Sequence, residues 1–97
     1  MEQKKISCAV IGAGAFGKQY IRLLQNNPRT TLSAVVDPSG EQRGFELKHE
    51  TRHDRDAGKV FEDPSIDAVV IATPLSTHAK MAAGALQAGK HVLLEKP

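Results

Sequence analysis

Gly12, Gly14 and Gly17 stand in the spacing GxGxxG directly after the apolar run Ile6 to Ile11, and Asp37 follows Gly17 by twenty residues at the end of a second apolar run. Each glycine has a separate physical use. Gly12 permits a tight turn out of a strand, Gly14 lets a pyrophosphate approach the backbone, and Gly17 lets the following helix pack closely. Phosphate charge would lie on the N-terminus of that helix, where unpaired N–H groups point at it. A carboxylate at Asp37 can accept hydrogen bonds from the adenosine ribose hydroxyls and would repel a 2′-phosphate at close range. These residues predict a dinucleotide site that favours NAD over NADP, with Arg43 as the one cation placed to answer a 2′-phosphate if its loop folds over it.

His49, Glu50 and His53 form a formal HExxH match. On a helix the two histidines would share one face, suited to zinc, with Glu50 as general base. The flanks argue otherwise. Glu46 to Lys48 and Asp54 to Asp56 are almost entirely polar, and such a site needs a packed helix with an organised surround. The segment reads as a solvated polar helix or loop, and no metal is expected.

These groups need a scaffold, and the hydrophobic pattern supplies one. Ile6 to Ile11 is a short, mostly apolar run stopped by glycine, as in a parallel strand covered on both faces. Ala15 to Asn26 places Phe16, Tyr20, Leu23 and Leu24 at helical spacing, and Asn27-Pro28 ends that helix. Thr31 to Val36 reads as a second strand, followed by a short helix with Ser39 and Gln42 as a capping box. Between Lys48 and Lys59 the only apolar residue is Ala57, so no buried third strand is visible there. Val60-Phe61 suits either a brief strand or a turn of helix. Ala68 to Thr73 is another strand, and Ser76 or Thr77 can cap a helix reaching Ala88 that packs through Ala79, Ala82, Ala83 and Leu86. His91 to Leu94 is the last strand. Alternation of this kind implies right-handed crossovers and an α/β doubly wound parallel sheet, with Gly12, Asp37, Thr73 and Lys96 at the carboxyl ends of strands.

Composition narrows the class. With 97 residues, 40% of them hydrophobic and 25% charged, residues 1–97 suit one globular domain. Thirteen basic residues against eleven acidic ones leave +2, with no long basic stripe, so nucleic acid is not expected as a partner. Cys8 lies inside the first apolar run and reads as a buried core thiol suited to a reducing compartment. No stretch has the length of a membrane span or of a signal peptide, which predicts a cytoplasmic chain without a membrane partner.

The glycine fingerprint, Val36-Asp37-Pro38, the stretch Ile66 to Pro74 followed by His78, and Gly89 to Pro97 (GKHVLLEKP) occur together. In combination they resemble the N-terminal NAD(P)-binding Rossmann domain of the glucose-fructose oxidoreductase / inositol dehydrogenase / rhizopine-catabolism family. The terminal Glu95-Lys96-Pro97 is the most specific part of that likeness. The resemblance implies an oxidoreductase that moves hydride between nicotinamide and a secondary alcohol of a sugar, inositol or related polyol. It also implies that Gly12, Gly14, Ala15, Phe16 and Gly17 hold the pyrophosphate and Asp37 the adenosine ribose. Thr73 and Pro74 would line the cofactor, with His78 near its nicotinamide end. Lys96, the implied catalytic residue, would touch both substrate and nicotinamide and stabilise developing alkoxide charge. Glu95, beside the cofactor, could orient Lys96.

Two departures accompany the resemblance. Family enzymes complete this domain and add a second, substrate-binding domain beyond the position of Pro97. The sheet is therefore expected to be incomplete at its C-terminal side, with an uncovered edge that favours pairing into a homo-oligomer, and the chain alone is expected to lack complete catalysis. The segment from Lys48 to Lys59 is also unusually polar for the region of a third strand and its helix, and the interval from Asp37 to Asp67 is compressed relative to the family. The rival reading is a non-catalytic dinucleotide sensor or regulatory module.

Overall fold

The computed structural model describes residues 5–37 and 51–94. In chain order they form β1 (Ile6–Ile11), α1 (Ala15–Asn26), β2 (Thr30–Val36), β3 (Arg52–Asp54), α2 (Ala57–Glu62), β4 (Ala68–Ile71), α3 (His78–Gln87) and β5 (His91–Leu94). One turn of 3-10 helix, Leu75–Thr77, precedes α3. The strands make a single parallel sheet in the order β3-β2-β1-β4-β5. This is the doubly wound, Rossmann-type arrangement that the alternation of strands and helices implies. The sheet grows outward from β1 to β2 and β3, then resumes on the other side of β1 with β4 and β5. That reversal leaves a crevice at the carboxyl edge between β1 and β4, where open α/β sheets bind ligands.

The continuity of the apolar runs has a direct cause, since alternate residues enter two different cores. Ala9, Ile11, Ala34, Val36, Val69 and Ile71 pack against Ala57, Val60 and Ala85 of α2 and α3. Val10, Leu32, Val35 and Val70 pack on the opposite face against Ile21 of α1, with Tyr20 and Leu24 beside it. The register between β1 and β2 slips after Cys8, which pairs with Leu32 while Ala9 pairs with Ala34. Ser33 is thereby left over, and its hydroxyl lies 2.6 Å from that of Ser7. Cys8 is buried, as its place in the first run implies. Burial, followed by the charge of Asp67, pushes its thiol pKa up and keeps it protonated.

The third strand corrects the reading of the polar segment. Arg52–Asp54 pairs with Ala34, Val35 and Val36 at the outer edge of β2. An edge strand of three residues needs little apolar character, because its ladder and its ion pairs hold it. Arg52 Nε donates to Asp54 Oδ2 at 2.6 Å, and Arg52 Nη1 reaches Asp63 Oδ2 at 3.2 Å. His53 therefore belongs to a strand, which removes the helical geometry that the HExxH reading requires; His49 and Glu50 lie outside the described residues. Val60 and Phe61 belong to helix α2, whose first turn is closed by Asp56 accepting from the Gly58 amide at 2.9 Å. Ser39, Gln42 and Arg43, with the short helix expected around the first two, also lie outside the described residues.

Two helix faces are rotated from expectation. In α1 the buried stripe is Gly17, Tyr20, Ile21 and Leu24, while Phe16 and Leu23 are exposed. Close approach at Gly17 turns this stripe inward. In α3 it is His78, Met81, Ala82 and Ala85 that face the sheet side, and Ala79, Ala83 and Leu86 face out. Alanine occupies both stripes, so apolar periodicity alone does not choose between them. The choice falls to His78, whose ring turns inward, and to the close packing of Phe61 on Gly84. At the far edge of the sheet β5 pairs with β4, and Leu93 and Leu94 remain 48% and 45% exposed among the described residues.

Candidate functional site

The glycine turn is built from the backbone outward. Gly12 follows β1 with φ +103, a left-handed conformation that disfavours any side chain. Its amide donates to Val36 O at 2.8 Å, and a Cβ placed on it would come within 2.7 Å of Ala72 O. The turn is thus wedged between the ends of β2 and β4. A Cβ on Gly17 would overlap the carbonyl oxygen of Gly12, so α1 rests directly on the turn. Gly14 differs from both. A Cβ there would meet nothing within 4 Å, so the open space in front of it is not required by the fold. Gly14 occupies the N-cap of α1 without a side-chain cap, and the first turn carries no acidic residue. Backbone N–H groups at that end are available to an anion, which suits a pyrophosphate. Phe16 is exposed beside this end, and Ala15 begins the helix.

Asp37 directly follows β2, half-buried, with its amide donating to Asp54 O at 2.9 Å. The short β3 therefore fixes the backbone under the Asp37 carboxylate. Behind β3, the hydrogen bond from Arg52 to Asp54 raises the Arg52 pKa further. Asp63 accepts from both the hydroxyl and the amide of Ser65 and then from Arg52, which lowers its carboxyl to about 2.

Across the crevice, the chain leaving β4 is held by its own side chains. Thr77 Oγ1 donates to Pro74 O at 2.7 Å, and Thr73 Oγ1 lies 2.6 Å from Thr77 Oγ1. A hydroxyl has one proton and a carbonyl oxygen only accepts, so the proton between the two threonines comes from Thr73. The same logic fixes the tautomer of His78. Its Nε2 lies 2.8 Å from Thr73 O and must carry the proton donated there. His78 is buried at 9% exposure, so its place is behind Thr73 rather than on the open surface. Thr77 occupies the N-cap of α3 but makes no side-chain cap there, which corrects the capping role expected of Ser76 or Thr77. The preceding 3-10 turn already engages the first amides, including the Thr77 amide on Pro74 O at 2.9 Å.

The carboxyl edge thus brings together Gly12, Gly14, Gly17, Asp37, Thr73 and Pro74, with His78 as support. Glu95, Lys96 and Pro97 lie outside the described residues, immediately beyond β5. Sequence reasoning missed Thr77 as a partner of Thr73, although two threonines four residues apart around a proline were a readable signal. It also missed Lys90, which is buried at 6% exposure. Its ammonium donates to Asp63 O and, at 2.7 Å, to Ile66 O, joining the entry to β5 to the corner before β4.

Residues 6–97 match the family described as an oxidoreductase family with an NAD-binding Rossmann fold. The chain belongs to this family. It is 39% identical to scyllo-inositol 2-dehydrogenase (NAD(+)) of Bacillus subtilis over 98% of this chain and 29% of that protein. It is 55% identical to the oxidoreductase YdgJ of Escherichia coli over 95% of this chain and 27% of that one. Among solved structures, scyllo-inositol dehydrogenase from Lactobacillus casei with bound NAD(H) and scyllo-inositol superimposes with a TM-score of 0.79 at 26% identity, over 97% of this chain and 28% of that one. GenD2 from gentamicin A biosynthesis, in complex with NAD, gives 0.83 at 29% identity, over 98% and 28% of the two chains. The chain spans under a third of the length of these family members. It corresponds to their NAD-binding Rossmann domain. No helix among the described residues is long and apolar enough to cross a membrane.

Proposed function

We propose that the chain is the cofactor-holding half of an NAD-dependent dehydrogenase acting on a secondary alcohol of a sugar, inositol or related polyol. The observation that carries this reading is the glycine turn: Gly12 and Gly17 have no room for a side chain, while Gly14 opens onto free space at an uncapped helix end. That cradle fits a pyrophosphate. The amides at Ala15, Phe16 and Gly17 bind it, Asp37 accepts from the adenosine ribose, and Thr73 and Pro74 border the nicotinamide half with His78 behind them. When bound, the nicotinamide supplies the hydride donor or acceptor. By the family resemblance, Lys96 would donate to the substrate oxygen and stabilise the charge that develops there, and Glu95 could orient it. The family members matched here are more than three times as long, and we assign the remaining substrate contacts to a second domain outside these 97 residues. The buried free thiol of Cys8 suits a reducing, cytoplasmic setting.

NAD is assigned over NADP on the Asp37 carboxylate, which would face a 2′-phosphate across the end of β2. Competition against bound NADH tests this. NAD is expected to displace NADH at lower concentration than NADP does, and Asp37→Ala is expected to narrow that gap about tenfold by losing affinity for NAD. Equal losses for the two cofactors would contradict the assignment.

A further inference from the structure

We propose that Thr77 is a positioning residue for cofactor binding, which it serves by taking the hydroxyl proton of Thr73 and leaving Thr73 Oγ1 to present only acceptor lone pairs to the ligand. The inference rests on the dinucleotide reading above and adds a polarity to it. The chain of donors is fixed at its far end. Pro74 O can only accept, so the Thr77 proton is spent on it at 2.7 Å, and the Thr73 proton is then spent on Thr77 at 2.6 Å. The residue carrying this oriented hydroxyl is itself held. His78 Nε2 donates to Thr73 O, and the neighbouring Ala72 is tied to β1 through its amide on Ile11 O at 2.8 Å.

Thr73 is half-buried at the crevice between β1 and β4, one residue beyond the Ala72 carbonyl that abuts the glycine turn. A ligand group meeting Thr73 Oγ1 there must be a donor. A ribose hydroxyl of the cofactor's nicotinamide half has that chemistry, whereas a phosphate oxygen at neutral pH does not. The relay therefore separates the two ends of the crevice. Anionic oxygens are received by amides at the glycine turn, and hydroxyl donors by Thr73. Pre-orienting the hydroxyl also spares the ligand the cost of fixing a free rotor.

The test is a double-mutant cycle read by NADH titration of the 97-residue chain, with folding of each variant checked by thermal unfolding. Thr77→Val removes the relay and is expected to weaken NADH binding about fivefold, while Thr77→Ser, which keeps the hydroxyl, stays within about twofold of wild type. In the Thr73→Val background, Thr77→Val is expected to cost nothing further, because its effect acts through Thr73. A purely structural role would instead give the same loss in both backgrounds. Losses that multiply, or a Thr77→Val variant that binds like wild type, would overturn the relay while leaving the cofactor reading intact. A folded wild-type chain that fails to bind NADH would remove the cofactor reading, and the relay with it. If Thr77→Val does not fold, Thr77→Ser and Thr73→Val still decide. The relay requires near-wild-type binding for the first and a loss for the second, and any other pair of results overturns it.

Discussion

Gly17→Ala is expected to destabilise the chain by about 3 kcal/mol and to abolish measurable NADH binding, because the new methyl group overlaps a backbone oxygen rather than a side chain that could move aside. The carbonyl of Gly12 cannot retreat freely. Gly12 is pinned at φ +103, with its amide on Val36 O and its Cα side against Ala72. Relief requires α1 to lift from the sheet, which opens the core around Ile21, Val10 and Val35. In a small domain with stability of order 5–10 kcal/mol, such a loss is a large fraction of the total. Gly14→Ala provides the contrast. Its methyl group enters open space at an ordinary φ of −75, so the stability change should stay near 1 kcal/mol or less, the cost of a poorer N-cap. Its NADH affinity should nevertheless fall, since that space is where the pyrophosphate approaches. Urea unfolding and NADH titration of both variants check the pair. Equal stability of the two would contradict the packing argument, and unaltered NADH affinity in Gly14→Ala would contradict the placement of the pyrophosphate.

Lys90→Met is expected to cost about 2–4 kcal/mol although it keeps most of the side-chain volume. The ammonium serves two backbone carbonyls, Asp63 O at the C-cap of α2 and Ile66 O just before β4; Ile66 O loses the ammonium as its donor, and Asp63 O keeps only the Ile66 amide at 3.2 Å. Its charge also sits at the negative end of α2, where a cation is favoured. The consequence reaches the site, since Lys90 immediately precedes β5, and β5 leads to residues 95–97. A urea midpoint change corresponding to less than about 0.5 kcal/mol would show that water replaces the ammonium without loss.

The parts of the molecule that were legible in the sequence share one physical property. β1, β2 and β4 are covered on both faces strongly enough to demand continuous apolar runs, β5 keeps an apolar run at the sheet edge, and the turn at Gly12 and Gly17 is dictated by backbone sterics that only glycine satisfies. β3 was hidden because Arg-His-Asp carries the signature of solvent, yet an edge strand is held by its ladder to β2 and by Arg52 reaching Asp63 at the end of α2. The positions of α1 and α3 were legible and their rotations were not, while α2 was left open between a strand and a turn of helix at Val60-Phe61. In α3, alanines at 79, 82, 83 and 85 supply apolar residues to more than one stripe, and a histidine bonded to Thr73 settles which faces in. Nothing along the chain marks Lys90 as buried, because the carbonyls it serves come from a corner 24 to 27 residues away. The same limit applied to the site. Gly12, Gly14, Gly17 and Asp37 follow a spacing along the chain, whereas the direction of the Thr73 proton depends on a turn that only the folded backbone closes.

Calorimetric titration of the folded wild-type chain with NADH decides whether the carboxyl edge between β1 and β4 receives a dinucleotide. Saturable binding with one site per chain is the predicted result, and it should be lost in Gly17→Ala and weakened in Gly14→Ala. Absence of saturable heat from a wild-type chain that unfolds cooperatively in urea would show that this edge holds no dinucleotide.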